Sequence, residues 1–123
     1  MLYIGIDLGT SAVKLLLMDS EGNIRNIVSR EYPLYFPHPG WSEQKPEDWY
    51  HAAVDTIRSV LTKSGVDKKD VVSMGISGQM HGLVMLDEAG NVLRPSIIWC
   101  DQRTAAECDQ IHEIVGRDQL ISL

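Results

Sequence analysis

Ile4-Gly5-Ile6-Asp7-Leu8-Gly9-Thr10-Ser11-Ala12-Val13-Lys14 decides the fold. An apolar strand ends on a carboxylate, turns through a glycine and two hydroxyls, and re-enters an apolar strand that carries a lysine. Gly9 lets the backbone come close to a ligand, and the amides of so tight a turn form a concavity suited to an anion. Thr10 and Ser11 add hydroxyl donors, and Lys14 adds a point charge. Asp7 works against that role, because a carboxylate ~4 Å from a phosphate oxygen is repelled by roughly 4 kcal/mol at an effective dielectric near ~20. It fits if Mg²⁺ stands between them, a cation ordinarily held through waters and one or two carboxylates. The same residues also suit a plain hairpin turn with a solvated aspartate, since Gly, Ser and Asp are common turn formers. The local pattern leaves both readings open.

Outward from this stretch, Tyr3 to Asp7, Val13 to Met18 and Ile24 to Arg30 read as three strands of an antiparallel meander, with Asp19-Ser20-Glu21-Gly22-Asn23 as a turn. Leu34 to Gln44 is a loop with two exposed-type aromatics, Phe36 and Trp41. Pro46-Glu47-Asp48 opens a helix to Lys63, with Trp49, Ala53, Ile57, Val60 and Leu61 at helical spacing and Gly65 as its stop. Val71 to Ile76 is a fourth strand, expected parallel to the first after a helical crossover. Leu83 to Leu86 reads as a short strand. It leads into Asp87-Glu88-Ala89-Gly90-Asn91, which repeats the spacing of the earlier turn through shared turn chemistry. A brief apolar run, Ile97-Ile98-Trp99, precedes a second helix carrying Ala105, Ala106, Ile111 and Val115, with Asp101 as its cap. The expected class is α/β.

The chain has 123 residues, 44% hydrophobic and 23% charged, which suits one globular domain. A net charge of −6 argues against a nucleic-acid surface, which needs a basic stripe. Cys100 and Cys108 fit no zinc spacing or disulfide framework, and Cys108 is expected as a small buried apolar side chain. No apolar run reaches membrane-spanning length and no signal-like start is present, so a cytoplasmic setting is expected. Leu120-Ile121-Ser122-Leu123 closes the chain without charge or turn punctuation, so a fragment of a larger domain is expected.

Four segments together resemble the opening of the FGGY carbohydrate kinases, of the actin/hexokinase-like (ribonuclease H-like) ATPase class. They are Gly5 to Lys14; Pro39-Gly40-Trp41-Ser42-Glu43-Gln44 leading into Pro46-Glu47-Asp48-Trp49; Gly75-Ile76-Ser77-Gly78-Gln79-Met80-His81-Gly82; and Leu93 to Thr104. The first is shared by the wider class, whereas Gln79-Met80-His81-Gly82 is similar to the pentulose kinases in particular. An asparagine is common in the family where Cys100 stands. The resemblance implies an ATP-dependent sugar kinase that converts D-xylulose to D-xylulose 5-phosphate, ribulose, gluconate or glycerol being the alternatives, with ATP and Mg²⁺ as cofactors. It implies that residues 1–123 are the N-terminal part of the first kinase domain, that the second, adenosine-binding lobe and the general base lie beyond Leu123, and that the isolated piece is inactive. A homodimer is implied for the parent enzyme, and an exposed strand edge implies self-association of the piece. No nucleic-acid or membrane partner is expected.

By that resemblance Asp7 sits at the phosphate-transfer centre, holding Mg²⁺ through water or lying near the attacking hydroxyl, while Gly9, Thr10, Ser11 and Lys14 face the phosphates. Gln79, Met80, His81 and Asp101 bind the sugar, with Trp99 and Arg103 nearby. Each has a plainer reading. His81 can be a hydrogen-bonded loop histidine, Met80 core filler, and Asp101 only a helix cap. Trp41, Glu43 and Gln44 can simply anchor the helix start. A non-catalytic module built on an actin-like half-domain is the alternative of another class.

Overall fold

The computed structural model describes residues 1–122, so the expected apolar tail is described only as far as Ser122. β1 (Leu2–Leu8), β2 (Ala12–Asp19) and β3 (Ile24–Glu31) form the antiparallel meander. Then come a two-residue strand β4 (Glu43–Gln44) and the helix α1 (Pro46–Ser64). A 3-10 turn at Lys68–Asp70 leads into β5 (Val71–Gly78), which runs parallel to β1. The main sheet has the order β3-β2-β1-β5. A second, minimal sheet pairs β4 antiparallel with β6 (Ser96–Ile97), and α2 (Ala105–Val115) and α3 (Arg117–Ile121) follow.

Period-two alternation sorts the meander. Ile4 and Ile6 of β1 and Val13, Leu15 and Leu17 of β2 are buried with Val28 and Tyr32 against Ala52 and Val60 of α1. Asp7 and Lys14, cross-strand partners in the register, are exposed. α1 begins with proline in its first turn beside Glu47 and Asp48, where acids suit the positive end of the helix. It ends at Gly65 in the left-handed region (φ 62°), where the amides of Gly65 and Val66 close the last turn onto Thr62 and Leu61. The two Asp-x-x-Gly-Asn turns share one hydrogen-bond pattern. Asp19 Oδ1 takes the amides of Glu21 and Asn23, and Asp87 Oδ1 takes those of Ala89 and Asn91.

α1 lies mainly over β2 and β3, which leaves β5 at the edge and almost wholly exposed. Other expectations are corrected. Leu83 to Leu86 is no strand: it makes single bridges, Leu83 to Ile97 and Leu86 to Val92, because the turn at Asp87 takes over the hydrogen bonding. The loop to Gln44 contains β4 at its end. α2 starts at Ala105 behind Thr104, so Asp101 does not cap it. Its apolar residues find no core: Ile111 and Ile114 are 48% and 84% exposed, and Cys108 is exposed rather than buried.

Leu17 is fully buried, so Leu17→Ala is expected to cost the chain about 3–5 kcal/mol in urea unfolding. Ile24→Ala, at an exposed position, should cost under about 1 kcal/mol in the same measurement.

Candidate active site at the end of the parallel strands

β1 and β5 end side by side, Leu8 opposite Gly78. The turn leaving β1 and the loop leaving β5 therefore flank one cleft of about 460 Å³, lined by Asp7, Gly9, Thr10, Gln79, Met80, His81 and Trp99 together with Gly78. Strand ends of open α/β sheets are where ligands gather. One glycine lets these strands finish this close together, and a second lets the β1–β2 hairpin close tightly. A Cβ on Gly78 would stand 3.1 Å from Leu8, and one on Gly9 would stand 3.0 Å from the Ala12 carbonyl oxygen. The steric freedom expected of Gly9 for a ligand is thus taken up first by the hairpin's own backbone.

The turn is held from behind. The Gly9 carbonyl accepts the Tyr32 hydroxyl, the Thr10 carbonyl accepts Gln44 Nε2 at 2.7 Å, and the Ser11 carbonyl accepts the Tyr32 amide at 3.2 Å. A trans peptide directs its C=O and its N–H to opposite sides. Tying the carbonyls of Gly9 and Thr10 therefore turns the amides of Thr10 and Ser11 the other way. Neither amide has an acceptor among the described residues. Burial, and after it the charge of Asp7, push the Tyr32 phenol up to about 12, so it is a donor throughout the neutral range.

On the other side of the cleft the Thr10 hydroxyl donates to Gln79 Oε1 at 3.3 Å and accepts Trp99 Nε1 at 2.9 Å. Gln79 Nε2 donates to Gln44 Oε1 at 2.9 Å, and Trp49 Nε1 donates to the same oxygen at 3.2 Å. His81 has a left-handed backbone (φ 64°), uncommon for a residue with a side chain and usual where a loop is held by its surroundings. It and Met80 are exposed to the cleft.

The structure does not bring every expected residue into this cleft. Lys14 shares with Asp7 an open groove of about 560 Å³ across the uncovered sheet face, and Ser11 lines neither space. Asp101 is occupied elsewhere. It accepts the Ser42 amide at 2.6 Å and Arg103 through its amide, Nε and Nη2 at 2.9, 2.8 and 2.7 Å. Arg103 also reaches Glu43 at 2.8 Å and lies 3.7 Å over the Trp41 ring, and Arg94 meets Glu43 at 2.7 Å. The Arg103 guanidinium holds the Asp101 carboxyl well below the usual carboxylate range, against the opposing effect of burial. Of the residues read as helix anchors, Gln44 does bond Trp49 in the first turn of α1, while Trp41 and Glu43 hold Arg103.

Tyr32 and the bridging role of Gln44 escape a reading of the sequence. Tyr32 looks like any strand-end aromatic, and Gln44 shows only as the end of a resemblance segment and as a helix-start anchor two residues before Pro46. Among the described residues no cluster of three or more His, Cys, Asp or Glu could hold a metal, and Asp7 is the one acid lining the cleft. No helix of the described residues is long and apolar enough to cross a membrane.

A mixed sheet with two antiparallel pairs and one parallel pair places the chain in the actin/hexokinase-like fold of sugar kinases. The chain belongs to the FGGY family of carbohydrate kinases, matching its N-terminal domain over residues 2–122. The chain is 43% identical over 120 residues to the xylulose kinase of Bacillus subtilis strain 168, a match that takes in 98% of this chain and 24% of that protein. The crystal structure of a xyloylose kinase from Brucella ovis superposes with a TM-score of 0.87 at 39% identity, over 92% of this chain and 24% of that one. That of a gluconate kinase from Lactobacillus acidophilus gives 0.89 at 28% identity, over 98% of this chain and 24% of the other. This chain spans about a quarter of the length of the curated relatives it matches.

The Asp101–Arg103 pair predicts a pH signature. A depressed folded-state pKa contributes stability that is present above the unfolded value near ~3.9 and is lost as pH falls through the folded value. Asp101→Asn should therefore be less stable than the unaltered chain at pH 7, and the gap should narrow below about pH 4 in thermal melts followed by circular dichroism.

Proposed function

We propose that this chain is the phosphate-facing part of an ATP-dependent sugar kinase that phosphorylates D-xylulose to D-xylulose 5-phosphate. The observation that carries the reading is the single cleft in which Asp7 and the Gly9-Thr10 turn, whose Thr10 amide has no acceptor among the described residues, meet the Gln79-Met80-His81-Gly82 loop. Phosphoryl transfer asks a protein mainly for positioning and for stabilisation of charge. Amides without an acceptor among the described residues suit phosphate oxygens, and the Asp7 carboxylate, without a hydrogen-bond or ion-pair partner among them, suits a water-shelled divalent cation. When bound, Mg²⁺ neutralises phosphate charge. Asp7 would orient it, the amides of Thr10 and Ser11 would bind phosphate, and Met80 and His81 would face the sugar with Gln79 behind them. Asp101 would act on the sugar side by tying Arg103 to the Ser42 amide. The proton acceptor and the adenosine lobe would come from outside residues 1–123.

Likeness to a gluconate kinase supports other polyols and sugar acids as the second reading of the substrate. The test is ADP release by the complete polypeptide carrying this segment, with D-xylulose, D-ribulose, gluconate and glycerol compared. D-xylulose is expected to give the highest kcat/KM, and a better rate with another would replace it. In the same assay Asp7→Asn should lower kcat by about a hundredfold or more, and unchanged turnover would end the kinase reading. The isolated segment is a different case, because Val72, Met74 and Ile76 on β5 are 52%, 53% and 70% exposed at the sheet edge. It is expected to self-associate in light scattering, whereas Met74→Lys should reduce the associated fraction.

A further inference from the structure

The Gln44 carboxamide has no solvent exposure and adds a second link between the turn after β1 and the loop after β5, which already meet through the Gln79 amide on the Leu8 carbonyl and the Thr10 hydroxyl on Gln79. Its Nε2 donates to the Thr10 carbonyl at 2.7 Å and, more distantly, to that of Pro33 at 3.4 Å. Its Oε1 accepts from Trp49 and from Gln79. The orientation of the amide is dictated by its partners, because a carbonyl can only accept and an indole N–H can only donate. Reversing the amide would break both contacts. Gln79 in turn accepts the Thr10 hydroxyl. The result is a closed ring, in which Thr10 is gripped at its carbonyl by Gln44 and at its hydroxyl by Gln79, and the two glutamines are bonded to each other.

We propose that Gln44 is a positioning residue that couples the phosphate turn to the sugar-side loop, so that each loop's geometry sets the other's affinity. The inference rests on the kinase reading above and goes beyond it by assigning Gln44, which lines neither cleft. The coupling follows from the ring. A shift of Gln79 pulls on Oε1, tilts the carboxamide and rotates the Thr10 peptide, whose carbonyl shares a plane with the Ser11 amide. Coupling of this kind is reciprocal in binding. Glutamine suits the position because one flat group presents a donor and an acceptor together. Glutamate, of the same shape, would set an oxygen against the Thr10 carbonyl.

The experiment uses the complete polypeptide and measures KM for ATP and for the sugar in four forms: unaltered, Gln44→Glu, Gln79→Met and the double variant. Gln44→Glu should raise both KM values by about tenfold, the usual consequence of leaving one buried acceptor unpaired. Gln79→Met, on the sugar side, should raise the KM for ATP by about threefold or more through the ring. The double variant should be no worse for ATP than Gln44→Glu alone, the non-additivity that marks a shared network. A purely structural Gln44 would lower the melting temperature and leave both KM values of the folded enzyme unchanged, and that result overturns the proposal. So does strict multiplication of the two effects on ATP. Should Gln44→Glu give no folded protein, Gln79→Met decides alone, an unchanged KM for ATP counting against the coupling. Absence of turnover in the unaltered polypeptide with every polyol would instead sink the kinase reading, and this inference with it.

Discussion

Three residues carry the chain from β1 to β2, and every peptide they turn has a carbonyl that must be satisfied before its neighbouring amides can face outward. Buried backbone oxygens without donors cost about 1–3 kcal/mol each, so a turn that displays its N–H groups needs donors behind it. Tyr32 supplies two, its hydroxyl to Gly9 and its amide to Ser11, and Gln44 supplies the one for Thr10. The anion-ready face of the hairpin therefore depends on the end of β3 and on β4 as much as on its own sequence. Glycine permits the turn, and the donors orient it.

The donors themselves have to be held, and this gives the small β4–β6 sheet its purpose. Two-residue strands have little stability of their own. Here a cluster of two acids and two arginines surrounds them, with Arg103 stacked on Trp41, and Asp101 reaching across to the Ser42 amide beside β4. Burying charges is costly unless geometry and hydrogen bonds are complete. The Asp101 carboxylate meets that condition, since each of its oxygens accepts two hydrogen bonds. The cluster positions Gln44 on one side and the segment bearing Trp99 on the other.

How far the sequence spoke depended on whether a local rule was at work. The meander follows from apolar alternation in Ile4 to Leu17, and α1 from Pro46, the spacing of Trp49 to Leu61, and Gly65. Both are near-neighbour effects, and the parallel return of β5 follows from them. Asp101 shows the opposite case. Its place before a helix reads as a cap, but a guanidinium two residues away outbids the helix amides. Cys108 reads as a small buried apolar side chain and Ile111 as part of an apolar helix face, yet both are exposed. Within the cleft, Asp7, Gly9, Thr10, Gln79, Met80 and His81 were legible as a group through motif resemblance. The side-chain ring behind them was not, since nothing in the spacing of Gln44 and Gln79 announces that they touch.

The grips on Thr10 come from residues 34, 69 and 89 positions further along the chain. On a ribosome, the hairpin is therefore made well before the residues that brace it. At ~5–20 residues per second, roughly 4–18 s pass between synthesis of Thr10 and arrival of the indole that fixes its hydroxyl. Through that interval the nascent turn has strand pairing but no oriented anion face. The orientation of the turn's amides is thus a late event of biogenesis relative to synthesis of the residues that bear them.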